Sequence, residues 1–272
     1  MEEMSVAAAR TMYLPEILAH TRTVVAERKA AADMRALERE AEKHQPRGFA
    51  HALRTKAQTG PAIIAELKKA SPSKGLIRAD FDPTALAQEM EQAGAAVLSV
   101  LTDEKFFQGS LENLRLASAA TTIPCLRKDF IIDPFQIVEA RANNADAILL
   151  IVAALTDSEL RTLRDEARHW NLDVLCEVHD ADELDRALEL DCECVGVNSR
   201  DLRTFEVSLD RACDLAAQLP RSAVRVAESG IHTRNDMQRL RSAGYEAFLI
   251  GESLMRQPHP GEALKSLLSS GR

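Results

Sequence analysis

The amino-acid sequence predicts a single α/β domain, a (β/α)8 TIM barrel with an N-terminal helical extension. Three observations lead to this prediction: eight short apolar runs follow one another, helical segments lie between them, and no glycine-rich turn follows the first run. Near-continuous apolar runs are typical of strands buried on both faces, as in a parallel sheet. Eight such units close most simply into a barrel, whereas a doubly wound open sheet more often has about five to seven strands and a glycine-rich first turn.

The N-terminal segment differs in composition from the rest of the chain. Residues 12–45 are rich in Ala, Glu, Arg and Leu, and their apolar residues recur at helical spacing, for example Ile17, Val24, Val25 and Leu37. This pattern predicts one or two amphipathic helices that end near Pro46–Gly48. We therefore expect an extension over residues 1–48 and the barrel over residues 49–272. Two roles stay open for the helices: packing against the barrel alone, or also closing over a bound substrate.

The strands of the barrel are expected at the apolar runs. These are AIIAEL (62–67), AAVLSVL (95–101), IPCLRK (123–128), ADAILLIV (145–152), LDVLCEV (172–178), ECVGVN (193–198), AVRVAE (223–228) and EAFLIG (246–251). Segments such as PTALAQEMEQAGA, DPFQIVEARANNA and TRNDMQRLRSAG lie between them and can form helices of about two to four turns.

Bulk composition narrows the class of protein. The chain has 272 residues, 46% of them hydrophobic and 28% charged, with a net charge of −8. An acidic protein is not expected to bind nucleic acid as its main partner, and no apolar run approaches the roughly 18 to 20 residues of a membrane span. The N-terminus lacks a signal-peptide pattern, so we expect a cytoplasmic protein.

The five cysteines do not form a metal-binding pattern. Cys192 and Cys194 make a lone C-x-C with no second pair and no nearby histidine, so no zinc site is expected. Most of the cysteines fall in strand-like segments and are interpreted as reduced core thiols.

Polar residues end most of the predicted strands. In barrels of this kind the active site lies at the carboxyl ends of the strands. The residues that meet there are Glu66, Lys68, Lys128, Glu177, Asn198 and Glu228. Salt bridges that only close the top of the barrel are the alternative for any one of them. Burying all of these charges would stabilise the fold less than hydrophobic packing would. Their presence together at one end of the barrel therefore favours a functional site.

The loops after the last two strands are typical of phosphate binding. They contain Ser229-Gly230 and Gly251-Glu252-Ser253. Loops at these strands of a barrel, with a short extra helix, often bind phosphate through backbone N–H groups. In contrast, His179 follows Glu177 at the start of a helix and is interpreted as a loop or capping residue, outside the site.

The motifs together resemble the indole-3-glycerol phosphate synthase family of tryptophan biosynthesis. The matching segments include AELKKASPSKG, LRKDF, CEVHD, VNSRDL, VAESGI and IGESLM, and they cover nearly the whole chain. ESGI and IGESLM recur in other phosphate-binding barrels, whereas the order and spacing of the set are specific. The resemblance implies a carboxy-lyase that closes a ring with loss of CO₂ and water. Its substrate would be 1-(2-carboxyphenylamino)-1-deoxyribulose 5-phosphate.

The resemblance also implies roles for the residues at the strand ends. Lys128 would be the general acid at the ribulose carbonyl, Glu177 would handle a proton in the dehydration, and Lys68 would hold the substrate carboxylate. The division of acid and base work among these three stays open. Glu66 and Glu228 would orient the lysines, while Asn198 would hydrogen-bond the substrate hydroxyls.

Substrate-binding residues, the cofactor and the oligomeric state are implied in the same way. Some residues match the family's phosphate-binding positions, and others match the mouth of the barrel or an apolar slot for the aromatic ring. Together they are Ser71, Phe107, Leu149, Ile151, Arg200, Ser229, Gly230, Gly251 and Glu252. The family uses no metal or organic cofactor, and a monomer is expected. Two alternatives are kept: another phosphate-binding barrel enzyme, such as a phosphoribosylanthranilate isomerase, and a non-catalytic phosphate-binding barrel. That isomerase family lacks the N-terminal extension and the lysine pair.

Overall fold

The barrel predicted from the sequence is confirmed in a computed structural model, which describes residues 13–201 and 206–269. In these ranges eight parallel strands form a closed ring in which each strand pairs with the next and the first pairs with the last. The strands are β1 (Ala62–Leu67), β2 (Val97–Leu101), β3 (Cys125–Lys128), β4 (Ala147–Ile151), β5 (Asp173–Val178), β6 (Cys194–Asn198), β7 (Val224–Glu228) and β8 (Ala247–Ile250).

The strand positions match the apolar runs closely. β1 has the predicted bounds, and the other strands begin one or two residues after the start of their runs. The extra apolar residues, such as Ala95 and Ala96 before β2, are buried at the turns that enter the barrel. Apolar character therefore extends beyond the hydrogen-bonded strand because these turns are themselves covered.

Helices precede the barrel and alternate with its strands. They are α1 (Tyr13–Ala31), α2 (Met34–Ala41), α3 (Phe49–Ala57), α4 (Pro83–Ala93), α5 (Glu104–Phe107), α6 (Leu111–Ala120), α7 (Pro134–Ala142), α8 (Asp157–His169), α9 (Ala181–Leu188), α10 (Leu209–Ala216), α11 (Arg234–Ala243), α12 (Glu252–Met255) and α13 (Pro260–Leu268). Ala70–Ser71 and Gly75–Leu76 form a small antiparallel pair after β1.

Side-chain caps fix the start of the longer helix that leads from each of the first seven strands to the next strand. The residues whose side chains accept a backbone N–H from the first turn are Asp82, Ser110, Asp133, Thr156, Asp180, Ser208 and Thr233. Each satisfies a donor that a helix leaves unpaired at its first turn. The polar residues after the strand ends thus determine where the chain turns back.

Helix α3 closes the amino-terminal end of the barrel, and no element was predicted over its residues. Phe49, Ala50 and Leu53 are buried in one apolar cluster with residues of the barrel interior such as Ile64 and Val97. The helix begins after Gly48, whose backbone is left-handed with φ of 75°. The division between extension and barrel at residue 48 stays a prediction.

The same end of the barrel contains a buried aspartate with several donors. Asp146 has a fully buried side chain that accepts hydrogen bonds from the backbone N–H groups of Cys125 (2.6 Å) and Arg47 (2.7 Å). The Arg47 guanidinium and the ring of His44 contact the same carboxylate. Burial alone would raise the pKa of Asp146, but these partners outweigh it and hold the pKa below the ordinary aspartate value. The carboxylate is thus stabilised in its charged form.

The N-terminal helices are anchored on α7. Arg28 contacts Glu139, and Lys29 Nζ lies 2.9 Å from Asp133, while Ile17 and Val25 are buried. The predicted helical segment is confirmed as α1 and α2. No helix in residues 13–201 and 206–269 is long and apolar enough to cross a membrane.

The thiols lie mainly in the core, as interpreted from the sequence. All five cysteines are free, and Cys125, Cys176 and Cys194 are buried. In the described ranges no group of three or more His, Cys, Asp or Glu side chains is arranged to hold a metal ion.

Candidate active site

A cleft lies at the carboxyl ends of the strands and, together with the open solvent at its mouth, has a volume of about 1220 Å³. Every residue of the sequence-predicted site lines this cleft. These residues are Glu66, Lys68, Ser71, Phe107, Lys128, Leu149, Ile151, Glu177, Asn198, Arg200, Glu228, Ser229, Gly230, Gly251 and Glu252. The structure therefore brings the whole set together, while the role of each residue stays a prediction.

Lys128 lies at the centre of the charged part of the cleft. It is the last residue of β3, and its Nζ is 2.5 Å from Glu177 Oε2 and 3.2 Å from Glu228 Oε2. The lysine side chain is 13% exposed, and each of the two carboxylates is 2% exposed. One cation thus faces two carboxylates in a site that is nearly closed to water.

The pKa values in this cluster are shifted in different directions. Burial lowers the pKa of Lys128, but the facing carboxylates, chiefly Glu177 and Glu228, outweigh it and hold the pKa above the ordinary lysine value. Burial acts against ionisation of Glu177, yet Lys128 and His179 hold its pKa well below the glutamate value. Burial raises the pKa of Glu228; Lys128 opposes this, and the nearby Glu177 charge adds to it. Two neighbouring carboxylates with opposite shifts are typical of an acid–base site.

A second lysine and carboxylate face the same cleft from β1. Lys68 contacts Glu66 Oε1, and their side chains are 19% and 2% exposed. Gly251, after β8, lies directly against Glu66, and a Cβ at this position would collide with its carboxylate. The absence of a side chain at Gly251 therefore gives Glu66 its place in the barrel.

Gly196 has the same relation to Glu228. It lies in β6 next to β7, where a Cβ would collide with the Glu228 carboxylate. Its backbone is an ordinary strand, so the requirement for glycine is one of space. Sequence reasoning did not identify Gly196, although a glycine inside a strand is a signal of close approach.

The two loops expected to bind phosphate lie on one side of the cleft. Ser229 and Gly230 both have left-handed backbones, with φ of 65° and 75°. Glu252 begins the four-residue helix α12, and Arg200 NH2 lies 3.8 Å from Glu252 Oε2. Successive N–H groups in such turns form concave sites that favour anions.

Two polar side chains of the cleft differ in how their hydrogen-bonding capacity is used. Asn198, the last residue of β6, accepts a hydrogen bond of 3.0 Å from the Arg200 N–H through its side-chain oxygen. The buried hydroxyl of Ser71 has no hydrogen-bond partner in the part of the chain that the structure describes. An unpaired hydroxyl that lines a cleft is available to a ligand.

Apolar side chains form another wall of the cleft. Phe107 and Phe130 lie with ring centroids 6.4 Å apart, and Leu149 and Ile151 line the cleft nearby from β4. Phe130 was missed from the sequence, although it lies two residues after Lys128 in the LRKDF motif. This wall is suited to a flat aromatic group.

The N-terminal extension also reaches the cleft. Leu14 and Ile17 of α1 line it, one helical turn apart on the same face of the helix. No residue of this helix was singled out from the sequence because nothing in the helical pattern indicates which part of the barrel it meets. This placement is compatible with the second role, closing over a bound substrate, which stays a prediction.

His179 lies closer to the site than its interpretation as a loop or capping residue suggests. The helix cap is its neighbour Asp180, whose side chain accepts from the Glu183 N–H. The His179 ring is buried, with Nε2 3.5 Å from Glu177 Oε1 and Nδ1 3.0 Å from Glu183 Oε2. The spacing of two residues from Glu177 and four from Glu183 is the signal that could have located it.

Comparison with solved structures supports the fold. The chain matches a thiamine phosphate pyrophosphorylase from Pyrococcus furiosus with a TM-score of 0.58 and 14% identity, covering 76% of this chain and 93% of that one. It matches a 3-hexulose-6-phosphate synthase with a TM-score of 0.57 and 14% identity, covering 76% of this chain and 100% of that one. At this identity the likeness concerns the barrel alone.

Comparison of sequences is more specific. The family model described as indole-3-glycerol phosphate synthase matches residues 14–267. A protein of that name from Koribacter versatilis (strain Ellin345) is 62% identical over 255 residues, which cover 94% of this chain and 98% of that protein. Another from Acidithiobacillus ferrooxidans is 50% identical over 259 residues, with coverage of 94% and 98%. The chain therefore belongs to the indole-3-glycerol phosphate synthase family.

Proposed function

We propose that this chain converts 1-(2-carboxyphenylamino)-1-deoxyribulose 5-phosphate into indole-3-glycerol phosphate, with loss of CO₂ and water. The observation that carries the proposal is the placement of Lys128 between two buried carboxylates in a cleft with an aromatic wall and two loops whose backbone is suited to an anion. Membership of the family supports the same reaction.

Lys128 is the general acid of the ring closure. Its raised pKa keeps it protonated in the resting cleft, so it carries a proton to the ribulose carbonyl oxygen as the aromatic carbon attacks. A strongly held proton is a poor catalyst, so the transfer requires Lys128 to move away from its carboxylates towards the carbonyl. The contact of Lys128 Nζ with Glu228 Oε2, at 3.2 Å, is longer and weaker than its contact with Glu177 Oε2.

The other charged residues divide the remaining work. Lys68, 19% exposed beside Glu66, holds the substrate carboxylate that leaves as CO₂. Glu177 handles a proton in the dehydration, and the Asn198 side chain hydrogen-bonds the hydroxyls of the ribulose chain. Placing these groups around one bound molecule lowers the barrier by orientation.

The substrate's two ends are bound by different walls of the cleft. The phosphate lies against the backbone N–H groups around Gly230 and Gly251, with Ser71 and Ser229 as further donors. The carboxyphenyl ring lies against Phe107 and the neighbouring apolar side chains. This arrangement brings the ring carbon towards the carbonyl near Lys128.

The assay for this function needs only the purified chain. Protein treated with EDTA is given the carboxyphenylamino-deoxyribulose phosphate, and the fluorescent indole product is followed with time. Phosphoribosylanthranilate is supplied in a parallel reaction as the substrate of the isomerase alternative. Formation of indole-3-glycerol phosphate without added metal supports the proposal. Turnover of phosphoribosylanthranilate alone, or of neither substrate, would contradict it.

Further expectations accompany the proposal. The protein acts as a monomer in the cytoplasm on a small phosphorylated molecule, and residues 49–272 form the catalytic barrel. Sedimentation velocity tests the first of these, since a monomer corresponds to 29.9 kDa.

A further inference from the structure

The ring of His179 is enclosed by carboxylates. Glu177 Oε1 lies 3.5 Å from Nε2, and Glu183 Oε2 lies 3.0 Å from Nδ1. Ionised carboxylate oxygens only accept hydrogen bonds, so a ring nitrogen that faces one needs a hydrogen. Both nitrogens face carboxylates, and the geometry therefore fits the imidazolium form of His179.

The position of this ring is fixed from the side away from the cleft. The His179 backbone N–H donates to Glu183 Oε2 at 2.8 Å, so the same carboxylate oxygen binds both the backbone and the ring. Glu183 lies in the first turn of α9, which Asp180 caps. The ring therefore cannot turn without losing contacts to a capped helix.

Hydrogen bonding is less complete on the side of the His179 ring that faces the cleft. His179 Nε2 is buried and has no hydrogen-bond partner in residues 13–201 and 206–269, since its contact with Glu177 is an ion pair at 3.5 Å. The two oxygens of Glu177 thus face two different cations, Oε1 towards His179 and Oε2 towards Lys128.

We propose that His179 is a positioning residue for the reaction proposed above: its imidazolium, held by Glu183, orients the Glu177 carboxylate and keeps it ionised. The proposal rests on the proposed function. His179 acts through Glu177, and the ring is not among the residues that line the cleft.

The need for a second cation follows from the work given to Lys128. When Lys128 moves to the substrate carbonyl, Glu177 loses its partner at 2.5 Å. A buried carboxylate without a cation takes up a proton, and it could then no longer act as a base. His179 does not contact the substrate, so it stays in place throughout.

The charge of the ring depends on pH. The groups that face it are Glu177 on β5, Glu183 on α9 and Glu228 on β7, with Lys128 beyond Glu177. Burial lowers the pKa of His179, but Glu183 and Glu177 outweigh it and raise the pKa above 6.5. The carboxylates therefore favour the imidazolium, which is lost as the pH rises through this raised value.

The test compares His179→Gln and Glu183→Gln with the wild-type protein in the indole assay. Gln keeps a donor in place of the ring but has no charge. We expect His179→Gln to lower kcat by about tenfold or more, with KM nearly unchanged. We also expect the kcat of the wild-type protein to decrease on the alkaline side of pH 6.5 as His179 loses its charge, and this decrease should be absent from the variant. Glu183→Gln removes a charge that raises the His179 pKa, so this decrease should move to lower pH.

A matched control separates positioning from stability. His44→Gln removes another histidine–carboxylate pair, 3.0 Å from Asp146 and 12% exposed, at the opposite end of the barrel. It should lower the melting temperature and leave kcat and its pH profile unchanged. Glu183→Gln keeps the test open if His179→Gln does not fold, since the Glu183 side chain is 16% exposed.

Each outcome separates the two proposals. A wild-type protein that forms no indole product overturns the proposed function and this inference together. Wild-type turnover with an unchanged kcat and pH profile in both site variants overturns the inference alone. Equal losses of kcat in His179→Gln and His44→Gln would also overturn it, because they would indicate a general loss of folded protein.

Discussion

The two ends of the barrel bury charge in different ways. At the amino-terminal end Asp146 accepts from two backbone N–H groups and contacts Arg47 and His44. At the carboxyl end Lys128 faces two carboxylates, and Glu228 Oε1 has no hydrogen-bond partner in the part of the chain that the structure describes. The first arrangement is locally complete, and the second leaves a buried acceptor without a partner in the described residues.

This difference indicates which end contributes stability and which contributes chemistry. Removing a partner from a fully paired buried charge destabilises the fold, whereas a buried charge that is already unsatisfied costs free energy that a ligand or a reaction can offset. Substitutions at the amino-terminal end should therefore change mainly unfolding, and those at the cleft should change mainly turnover, with smaller effects on stability. Three substitutions test this separation.

Lys128→Met should have the largest effect. It removes the proposed general acid from the centre of the cleft, and we expect kcat to fall by about 10²–10⁴-fold. Glu177 and Glu228 can then share a proton, so the fold should survive. Steady-state assays and circular dichroism measure the two quantities. Lys265→Met, an exposed lysine on α13, is the control, and near-wild-type turnover in Lys128→Met would contradict the role of the acid.

Arg47→Ala should lower stability and leave turnover unchanged. Arg47 binds Asp146 and the carbonyl oxygens of Ser118 and Thr121, so its loss leaves a buried carboxylate with fewer donors. We expect the free energy of unfolding to fall by about 3 kcal/mol and kcat at 25 °C to be unchanged. Urea denaturation and the indole assay measure both.

Arg54 on α3 provides a matched control for Arg47. It pairs with Glu193 at 2.8 Å, but the two side chains are 43% and 56% exposed. Arg54→Ala should therefore cost no more than about 1 kcal/mol. A lowered kcat in Arg47→Ala with unchanged stability would mean that the two ends are not separable.

Glu228→Gln should have the smallest effect of the three substitutions, a change in stability that depends on pH. The pKa of Glu228 is raised in the folded protein, so its ionisation costs stability as the pH rises through that value. Gln avoids this cost, and the melting temperature of the variant relative to wild type should increase from pH 6 to pH 9 by about 2–4 °C. Glu112→Gln, at an exposed ion pair, should show no such trend. A difference that shrinks with pH would contradict the raised pKa.

The sequence was sufficient for the fold and for the position of the cleft. Near-continuous apolar runs located the eight strands, and the rule that barrel sites lie at strand ends placed Lys128, Glu177 and Glu228 together. Local pattern is enough here because each of these three residues lies at or next to the end of its own strand.

Features that depend on contacts between distant segments were not accessible in this way. Helix α3 was missed because the surface that buries Phe49 and Leu53 exists only when the barrel has closed. Leu14 and Ile17 reach the cleft through the packing of α1, which its helical pattern does not specify. The direction of the Lys128 pKa shift also depended on distances, since carboxylates and burial act in opposite senses.

The contact between Gly196 and Glu228 has a consequence for how this family can diverge. The two residues belong to neighbouring strands, and the glycine leaves the volume that the glutamate side chain fills. A methyl group at position 196 would require the Glu228 carboxylate to move, so the residue sizes tolerated at the two positions are coupled. Among related sequences, a residue larger than glycine at position 196 should therefore occur more often with a residue smaller than glutamate at position 228.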